Sequence, residues 1–133
     1  MSEYFDTPMI VFASVNLGEL GAAARAAIAD CDPCSTPHAI AEAFNVLTYR
    51  LGHAPKRAIE ALRPNLRRFE FIVMDAQDYQ SALDRVLDCG LTGDKVYDAL
   101  HICAAEKARC SKVHTSNSRD FSAFKSKIEI IRY

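Results

Sequence analysis

Hydrophobic residues recur along this chain with two different spacings, and their alternation predicts a protein of mixed strands and helices. Short apolar runs that are bounded by charged or turn-forming residues predict strands. Apolar residues three or four positions apart predict helices. The predicted strands are residues 2–6, 69–74, 112–115 and 128–132, and the predicted helices are residues 7–15, 19–29, 35–51 and 56–66, one beginning near residue 75, and 94–110.

Capping residues mark where several of these helices start. Thr7-Pro8 and Thr36-Pro37 each pair a hydroxyl with a proline, a combination favoured at the first turn of a helix. Asp75 or Asp78 is predicted to cap the helix that begins near residue 75, and Asp94 the helix at residues 94–110. A helix-to-helix turn is predicted at residues 30–33 and a loop at residues 116–120.

Strands that alternate with helices predict an α/β fold, namely a three-layer α/β/α sandwich with a mainly parallel central sheet. The 133 residues, half of them hydrophobic, suit one compact domain spanning residues 1–133. Sheets of this type bind ligands at the carboxyl ends of their strands. Asp6 and the segment Thr115–Asp120 both follow predicted strand ends. A functional site is therefore expected at this edge.

The overall charge narrows the choice of partners. A net charge of -1 and a pI near 6.4 argue against tight, nonspecific binding of nucleic acid through total charge. A local basic patch beside an acidic site remains compatible with a nuclease. The start of the chain lacks a signal-peptide pattern, and no apolar run is long enough for a membrane span, so a cytoplasmic location without membrane attachment is expected.

The five cysteines do not read as a disulfide framework, because their number is odd and the expected compartment is reducing. Cys31 and Cys34 form a lone C-x-x-C, expected in a helix-to-helix connection with no redox or zinc role. Cys103 and Cys110 are seven residues apart and are expected in the core on one side of a helix.

Four acidic residues lie in distant parts of the chain at predicted element ends or within capped helices: Asp6, Glu42, Asp98 and Asp120. Carboxylates collected in this way provide the oxygen ligands that Mg²⁺ requires. Each residue also has a purely structural explanation. Asp6 and Asp120 suit turns, Glu42 suits a solvated helix face with Asn45 and Tyr49, and Asp98 is favoured by the dipole of a helix first turn. Asp94 and Asp98, four residues apart, would repel unless a cation such as Lys95 lies between them.

A locally basic segment lies between Arg50 and Arg68. It contains one acid, Glu60, and six basic residues: Arg50, Lys56, Arg57, Arg63, Arg67 and Arg68. The charge pattern alone favours a solvated helix face. The functional alternative is a phosphate-binding rim beside the acidic site, with Arg50, Lys56 and Arg57 as its binding residues.

With these residues in view, the chain resembles the PIN-domain ribonucleases, and among them the VapC toxins of toxin–antitoxin pairs. The resemblance covers essentially the whole chain. It is carried by four motifs in order, Tyr4-Phe5-Asp6-Thr7, the helix around Glu42, Val96-Tyr97-Asp98-Ala99-Leu100 and Thr115-Ser116-Asn117-Ser118-Arg119-Asp120. A second alignment, through Ile10–Ser14, is rejected because it would place Ala13 at the first acid.

The resemblance implies an endoribonuclease that depends on Mg²⁺ or Mn²⁺. Asp6, Glu42 and Asp98 would bind the metal, Asp120 would take part in catalysis, and the supporting residues would be Thr7 beside Asp6, together with Thr115, Asn117 and Asp94. It also implies an RNA substrate, a cognate antitoxin and a homodimer. A helix that brings Arg or Lys to the carboxylates would be the electrostatically sensible inhibitor.

Asn117 departs from the family pattern, because some members have an aspartate there. An amide is a weaker ligand for a hard cation, so a second metal position is in doubt. This departure supports one rival hypothesis, a PIN-like module that binds RNA or protein without cleaving. A structure-selective DNA nuclease is the other rival, although 133 residues leave little room for the extra DNA-binding helices.

Overall fold

The central feature of the molecule is one sheet of five parallel strands. A computed structural model describes the whole chain, residues 1–133. The strands are β1 (Ser2–Phe5), β2 (Asp32–Ser35), β3 (Glu70–Phe71), β4 (Lys112–Thr115) and β5 (Glu129–Arg132), and they lie in the order β3-β2-β1-β4-β5. Every neighbouring pair is parallel. The predicted α/β sandwich with a parallel sheet is confirmed.

Seven α-helices connect these strands. They are α1 (Thr7–Ser14), α2 (Gly18–Ala29), α3 (Pro37–Asn45), α4 (Pro55–Arg68), α5 (Ala76–Asp88), α6 (Lys95–Lys107) and α7 (Ser118–Ser122). A π-helical turn, Val46–Arg50, extends α3. None of these helices is long and apolar enough to cross a membrane.

Two hydrophobic cores lie on opposite faces of the sheet, because successive strand residues point in opposite directions. Phe5 packs into the core formed with α1, α2, α3 and α4. Tyr4, Cys34 and Val113 pack into the core formed with α5, α6 and α7. Glu42 and Asp98 therefore approach the sheet edge from different layers.

The sequence prediction missed β2 and so began the third helix too early. Asp32-Pro33-Cys34-Ser35 contains aspartate and proline, which are depleted in strands, and the pattern indicated a turn. In the structure β2 pairs with both β1 and β3. Thr36 caps α3 by accepting a hydrogen bond from the Ala39 N–H.

Several local predictions also differ from the structure. Asp6, not Thr7, caps α1, and the side chain of Asp94 makes no capping hydrogen bond. The predicted loop at residues 116–120 contains the start of α7, and the strand predicted at residues 69–74 is reduced to β3. Asp75 and Asp78 both act at the start of α5, in a reciprocal capping box.

The C-x-x-C segment lies at a strand, not in a helix-to-helix connection. Cys34 belongs to β2, and its buried thiol lies 3.0 Å from the thiol of Cys110. Cys110 follows the end of α6 rather than sharing that helix with Cys103, and it is buried in the core while Cys103 is half-buried. All five cysteines are free thiols.

Candidate active site

Residues from both sides of the sheet converge on one cavity of about 410 Å³ beyond the carboxyl ends of β1 and β4. Asp6 follows β1, Glu42 comes from α3, and Asp98 lies in the first turn of α6. The predicted site residues that line the cavity are Asp6, Thr7, Glu42, Arg50, Asp94, Asp98, Asn117 and Asp120. The arrangement brings carboxylates together that are far apart in the sequence.

Asp6 is buried at the base of this cavity, with only 2% of its surface exposed. The Thr115 hydroxyl donates to Oδ2 at 2.6 Å, and the Met9 N–H donates to Oδ1 at 3.2 Å. Burial raises the pKa of Asp6 to about 7 in spite of these donors, and the charges of Asp98 and Glu42 raise it further. The hydroxyl that orients Asp6 therefore belongs to Thr115, whereas the sequence analysis assigned this role to Thr7.

Glu42 lies between two imidazole rings. Its Oε1 is 3.3 Å from Nε2 of His38 and 4.0 Å from Nε2 of His101, yet it is shielded from solvent and has no hydrogen bond. Burial raises the pKa of the Glu42 carboxyl, against the opposing effects of His38 and the Thr7 hydroxyl. The side chain of Glu42 is only partly exposed, so Glu42 is not on a fully solvated helix face.

His101 is a site residue to which the sequence analysis assigned no role. Its ring is buried, and its Nδ1 lies 2.6 Å from the hydroxyl oxygen of Tyr4. Burial lowers the pKa of His101 to about 4. The available signal was its position three residues after Asp98, which places both on one helix face.

Asp98 and Asp120 have different electrostatic environments. Burial raises the pKa of Asp98 to about 6, and the charge of Asp120 adds to the effect. Asp120 instead accepts from Lys95 Nζ at 2.8 Å and from Asn117 Nδ2 at 2.5 Å, and Lys95 holds the pKa of this carboxyl below its ordinary value. Lys95 therefore neutralises Asp120 rather than bridging Asp94 and Asp98.

The basic segment divides into residues with different surroundings. Arg50 lines the cavity, whereas Lys56 and Arg57 are exposed at the start of α4 and do not. Arg68 donates to the backbone oxygens of Ile28, Ala29 and Cys31, and it thereby joins the ends of α4 and α2. Arg50 is thus the arginine that shares the cavity with the acidic residues, and Arg68 has a structural role.

The donor set fits a hard divalent cation in its chemistry. Asp6, Glu42 and Asp98 present carboxylate oxygens to one cavity, and the shielded Oε1 of Glu42 has no hydrogen bond. Burial raises the pKa values of Asp6 and Asp98, and neighbouring carboxylates raise them further, so a cation in this cavity would stabilise their charged forms. No three acidic, histidine or cysteine side chains are grouped closely enough to bind one ion directly. Binding would therefore need side-chain rotation or bridging water.

The fold and the acidic edge define a class of parallel α/β protein with carboxylates at the strand ends. A family model described as the PIN domain matches residues 4–127. The chain belongs to the PIN-domain family. No curated protein sequence matches it.

Several solved structures of toxin–antitoxin proteins share this fold. Toxin VapC20 of Mycobacterium tuberculosis, described as cleaving the sarcin–ricin loop, is 17% identical with a TM-score of 0.66, and the match covers 84% of this chain and 86% of that one. VapBC2 of Rickettsia felis, solved with promoter DNA, is 16% identical with a TM-score of 0.73 and coverage of 100% and 99%. FitAcB of Neisseria gonorrhoeae is 15% identical with a TM-score of 0.67 and coverage of 98% and 96%. At these identities the likeness establishes the fold alone.

Proposed function

We propose that this protein is an endoribonuclease toxin of the VapC type that depends on Mg²⁺ or Mn²⁺. One observation carries the proposal: Asp6, Glu42 and Asp98, from three separate elements, share one cavity at the carboxyl edge of the sheet. Placing two half-buried carboxylates beside the buried carboxylate of Asp6 is costly unless a positive charge is added. The PIN-domain membership and the RNA-cleaving structural neighbour make RNA the favoured substrate.

The roles follow from the surroundings of each residue. Asp6, Glu42 and Asp98 would hold the ion, directly or through water, and the Thr115 hydroxyl orients Asp6. Asn117 and Asp120 line the same cavity, where they would orient water or the scissile phosphate. The backbone oxygen of Asp94 accepts from the Tyr97 N–H at the start of α6. When bound, the ion supplies Lewis-acid chemistry by lowering the pKa of water and neutralising charge on the phosphate.

Two protein partners belong to the proposal. A cognate antitoxin that inserts an Arg or Lys into the cavity would replace the charge of the metal, in keeping with the crowded carboxylates. A second copy of the chain would cover the apolar surface of Val73, Tyr79, Leu83 and Leu87, of which Leu87 is 76% exposed. The structurally similar proteins VapBC2 and FitAB support the proposal that this toxin works in an assembly.

Cleavage of a mixed RNA pool tests the enzymatic proposal. The purified protein is incubated with Mn²⁺ or with EDTA, beside the variants Asp6→Asn and Asp98→Asn. We expect cleavage that requires Mn²⁺ and falls by at least about 100-fold in both variants, because each removes a charged ligand that stabilises the transition state.

Asp88→Asn is the matched control, because Asp88 is an exposed acid at the end of α5, away from the cavity. It should cleave like the wild type. Full metal-dependent cleavage by Asp98→Asn would show that the ligand assignment is wrong. Cleavage that survives in Asp6→Asn would point to another site or to a contaminating nuclease.

One observation favours a second candidate function, a PIN-domain module that binds RNA or protein without cleaving. Lys95 already neutralises Asp120, and Asn117 supplies an amide where a carboxylate would strengthen a second metal position. A folded wild type that binds RNA but neither cleaves it nor binds Mn²⁺ would support this alternative.

A further inference from the structure

Two tyrosine–histidine pairs lie on opposite faces of the sheet, one buried and one partly buried, and each pair faces a glutamate. In one, the Tyr4 hydroxyl oxygen is 2.6 Å from Nδ1 of His101, and Nε2 of that ring is 4.0 Å from Oε1 of Glu42. In the other, the Tyr133 hydroxyl oxygen is 2.8 Å from Nδ1 of His114, and Nε2 is 2.6 Å from Oε2 of Glu3. Only the first pair reaches the cavity.

The direction of the hydrogen bond between Tyr4 and His101 follows from the groups involved. Tyr4 is fully buried, and its phenol O–H, which carries a proton at neutral pH, lies 2.6 Å from Nδ1 of His101 and can donate to it. A Tyr4 O–H that donates to Nδ1 leaves the ring proton of neutral His101 on Nε2. This N–H then faces the carboxylate of Glu42. The opposite tautomer would direct a nitrogen lone pair at a negative charge.

The two carboxylate oxygens of Glu42 have different surroundings. Oε1 is shielded from solvent and lies beside both histidines, while the side chain as a whole keeps 34% of its surface exposed. Oε2 is therefore the oxygen available to the cavity. His38 is the nearer ring, but its side chain is 49% exposed and stacks on Tyr97, so it does not fix the carboxylate from within the core.

We propose that Tyr4 and His101 form a positioning pair for Glu42, in which the Nε2–H of His101 orients the inner oxygen so that Oε2 is presented as a metal ligand. At 4.0 Å the two atoms are beyond hydrogen-bond distance, and a rotation of the Glu42 side chain would bring them within it. This inference rests on the proposed metal-dependent function and deepens it. His101 acts through Glu42 and is not itself a ligand.

The tautomer of His101 tests the positioning pair without metal or RNA. Long-range ¹⁵N–¹H NMR spectra distinguish Nε2–H, Nδ1–H and doubly protonated rings. We expect His101 to be the Nε2–H tautomer in the wild type, and the Nδ1–H form to become populated in Tyr4→Phe. Tyr133→Phe is the matched control and should alter His114 only. A wild-type His101 protonated on Nδ1, alone or together with Nε2, would overturn the proposal.

Mn²⁺ affinity, measured by electron paramagnetic resonance of the free ion, tests the consequence for Glu42. Loss of a residue that orients a metal ligand typically weakens binding about 10- to 100-fold, so His101→Phe should lie in this range. His101→Gln keeps an N–H donor of similar reach and should restore affinity to within about threefold of the wild type. His114→Phe removes the matched ring and should leave Mn²⁺ affinity unchanged.

Equal weakening by His101→Phe and His101→Gln, or by His101→Phe and His114→Phe, would contradict the positioning role, since loss of buried packing would then explain it. Thermal unfolding shows whether each variant is folded, and Tyr4→Phe provides a conservative change if His101→Phe is not. A wild type that binds no Mn²⁺ would refute the proposed metal function, and the tautomer measurement would then decide on the pair by itself.

Discussion

The charged form of Asp6 is favoured by one feature of its environment and disfavoured by another. It caps α1 through the Met9 N–H, which favours a charged oxygen at that position. It is also almost completely buried near Glu42 and Asp98, and burial raises its pKa to about 7 from an ordinary value of 3.8. The folded protein therefore binds a proton at Asp6 more tightly than the unfolded chain does.

The sign of the resulting pH dependence follows from proton binding. Between pH 4 and pH 7 the folded state holds more protons at Asp6 than the unfolded state, so this residue makes the free energy of unfolding fall as the pH rises. We expect Asp6→Asn to be more stable than the metal-free wild type at pH 8 by on the order of 1–3 kcal/mol, since each pKa unit corresponds to about 1.4 kcal/mol and the shift is shared with neighbouring acids.

Urea denaturation of metal-free protein from pH 4 to pH 8 measures this difference. Comparing the variant with the wild type cancels the contributions of other groups, such as His101 and Asp120. Asp88→Asn, the exposed control, should show no such pH-dependent difference. A stability difference between Asp6→Asn and the wild type that does not change with pH would contradict the assigned pKa shift.

The acidic residues of the site could be proposed from the sequence, but the residues that contact them could not. Glu42 and Asp98 could be proposed from their places on helices, because helical positions follow from local spacing. The contacts of Thr115 with Asp6, Lys95 with Asp120 and His101 with Glu42 depend on how separate elements pack. The ligand roles of the acids remain predictions until metal binding is measured.

At the scale of elements, proline and capping residues predicted the helices well, whereas β2 was not predicted because its residues have weak strand propensity. Proline and capping residues located the start of α3 to within about two residues. β2 escaped because its pairing with β1 and β3 overrides the poor strand propensities of Asp32 and Pro33. The π-helical turn after α3 likewise left no sequence signal that we recognise.

Arg68 shows how elements are joined at the amino-terminal edge of the sheet. Its guanidinium donates to the backbone oxygens of Ile28 and Ala29 at the end of α2 and to that of Cys31 just before β2. We expect Arg68→Ala to lower the free energy of unfolding by about 1–2 kcal/mol, because charge-assisted hydrogen bonds are lost. Thermal or urea denaturation measures the change.

Arg67→Ala is the control for this experiment, because Arg67 is exposed on the same helix turn. It should change stability by less than about 0.5 kcal/mol. Equal destabilisation by the two variants would mean that the contacts of Arg68 with α2 contribute nothing specific.

At the scale of the whole molecule, a net charge of -1 leaves little general attraction for a polyanion. Affinity for RNA must then come from a few local contacts, and Arg50 is the one arginine on the cavity wall. Each phosphate contact with a single strand adds about 0.7 to the slope of log affinity against log salt. We expect Arg50→Gln to weaken RNA binding and to reduce that slope by about 0.7.

Fluorescence anisotropy of a labelled single-stranded RNA, measured over a range of salt concentrations in an Asp98→Asn background, provides both quantities. Arg63→Gln, an exposed change elsewhere on the basic segment, is the matched control and should leave the slope unaltered. The same slope change in both variants would indicate diffuse attraction instead of a defined rim.

The fold class could be predicted from element order, because strands separated by helices have few compact arrangements. The position of β1 at the centre of the sheet could not be predicted in this way, since it depends on the pairing of β1 with β4. That pairing spans more than 100 residues, and periodicity carries no information at such a distance.

The central position of β1 also determines when the acidic cavity can form during translation. β1, which Asp6 follows, is made more than 100 residues before its neighbour β4 and the Thr115 hydroxyl. Such long-range pairing delays folding. A nascent chain that stops before Lys112 lacks both the partner strand and the group that orients Asp6, so the acidic cavity is assembled only when translation of this domain is almost finished.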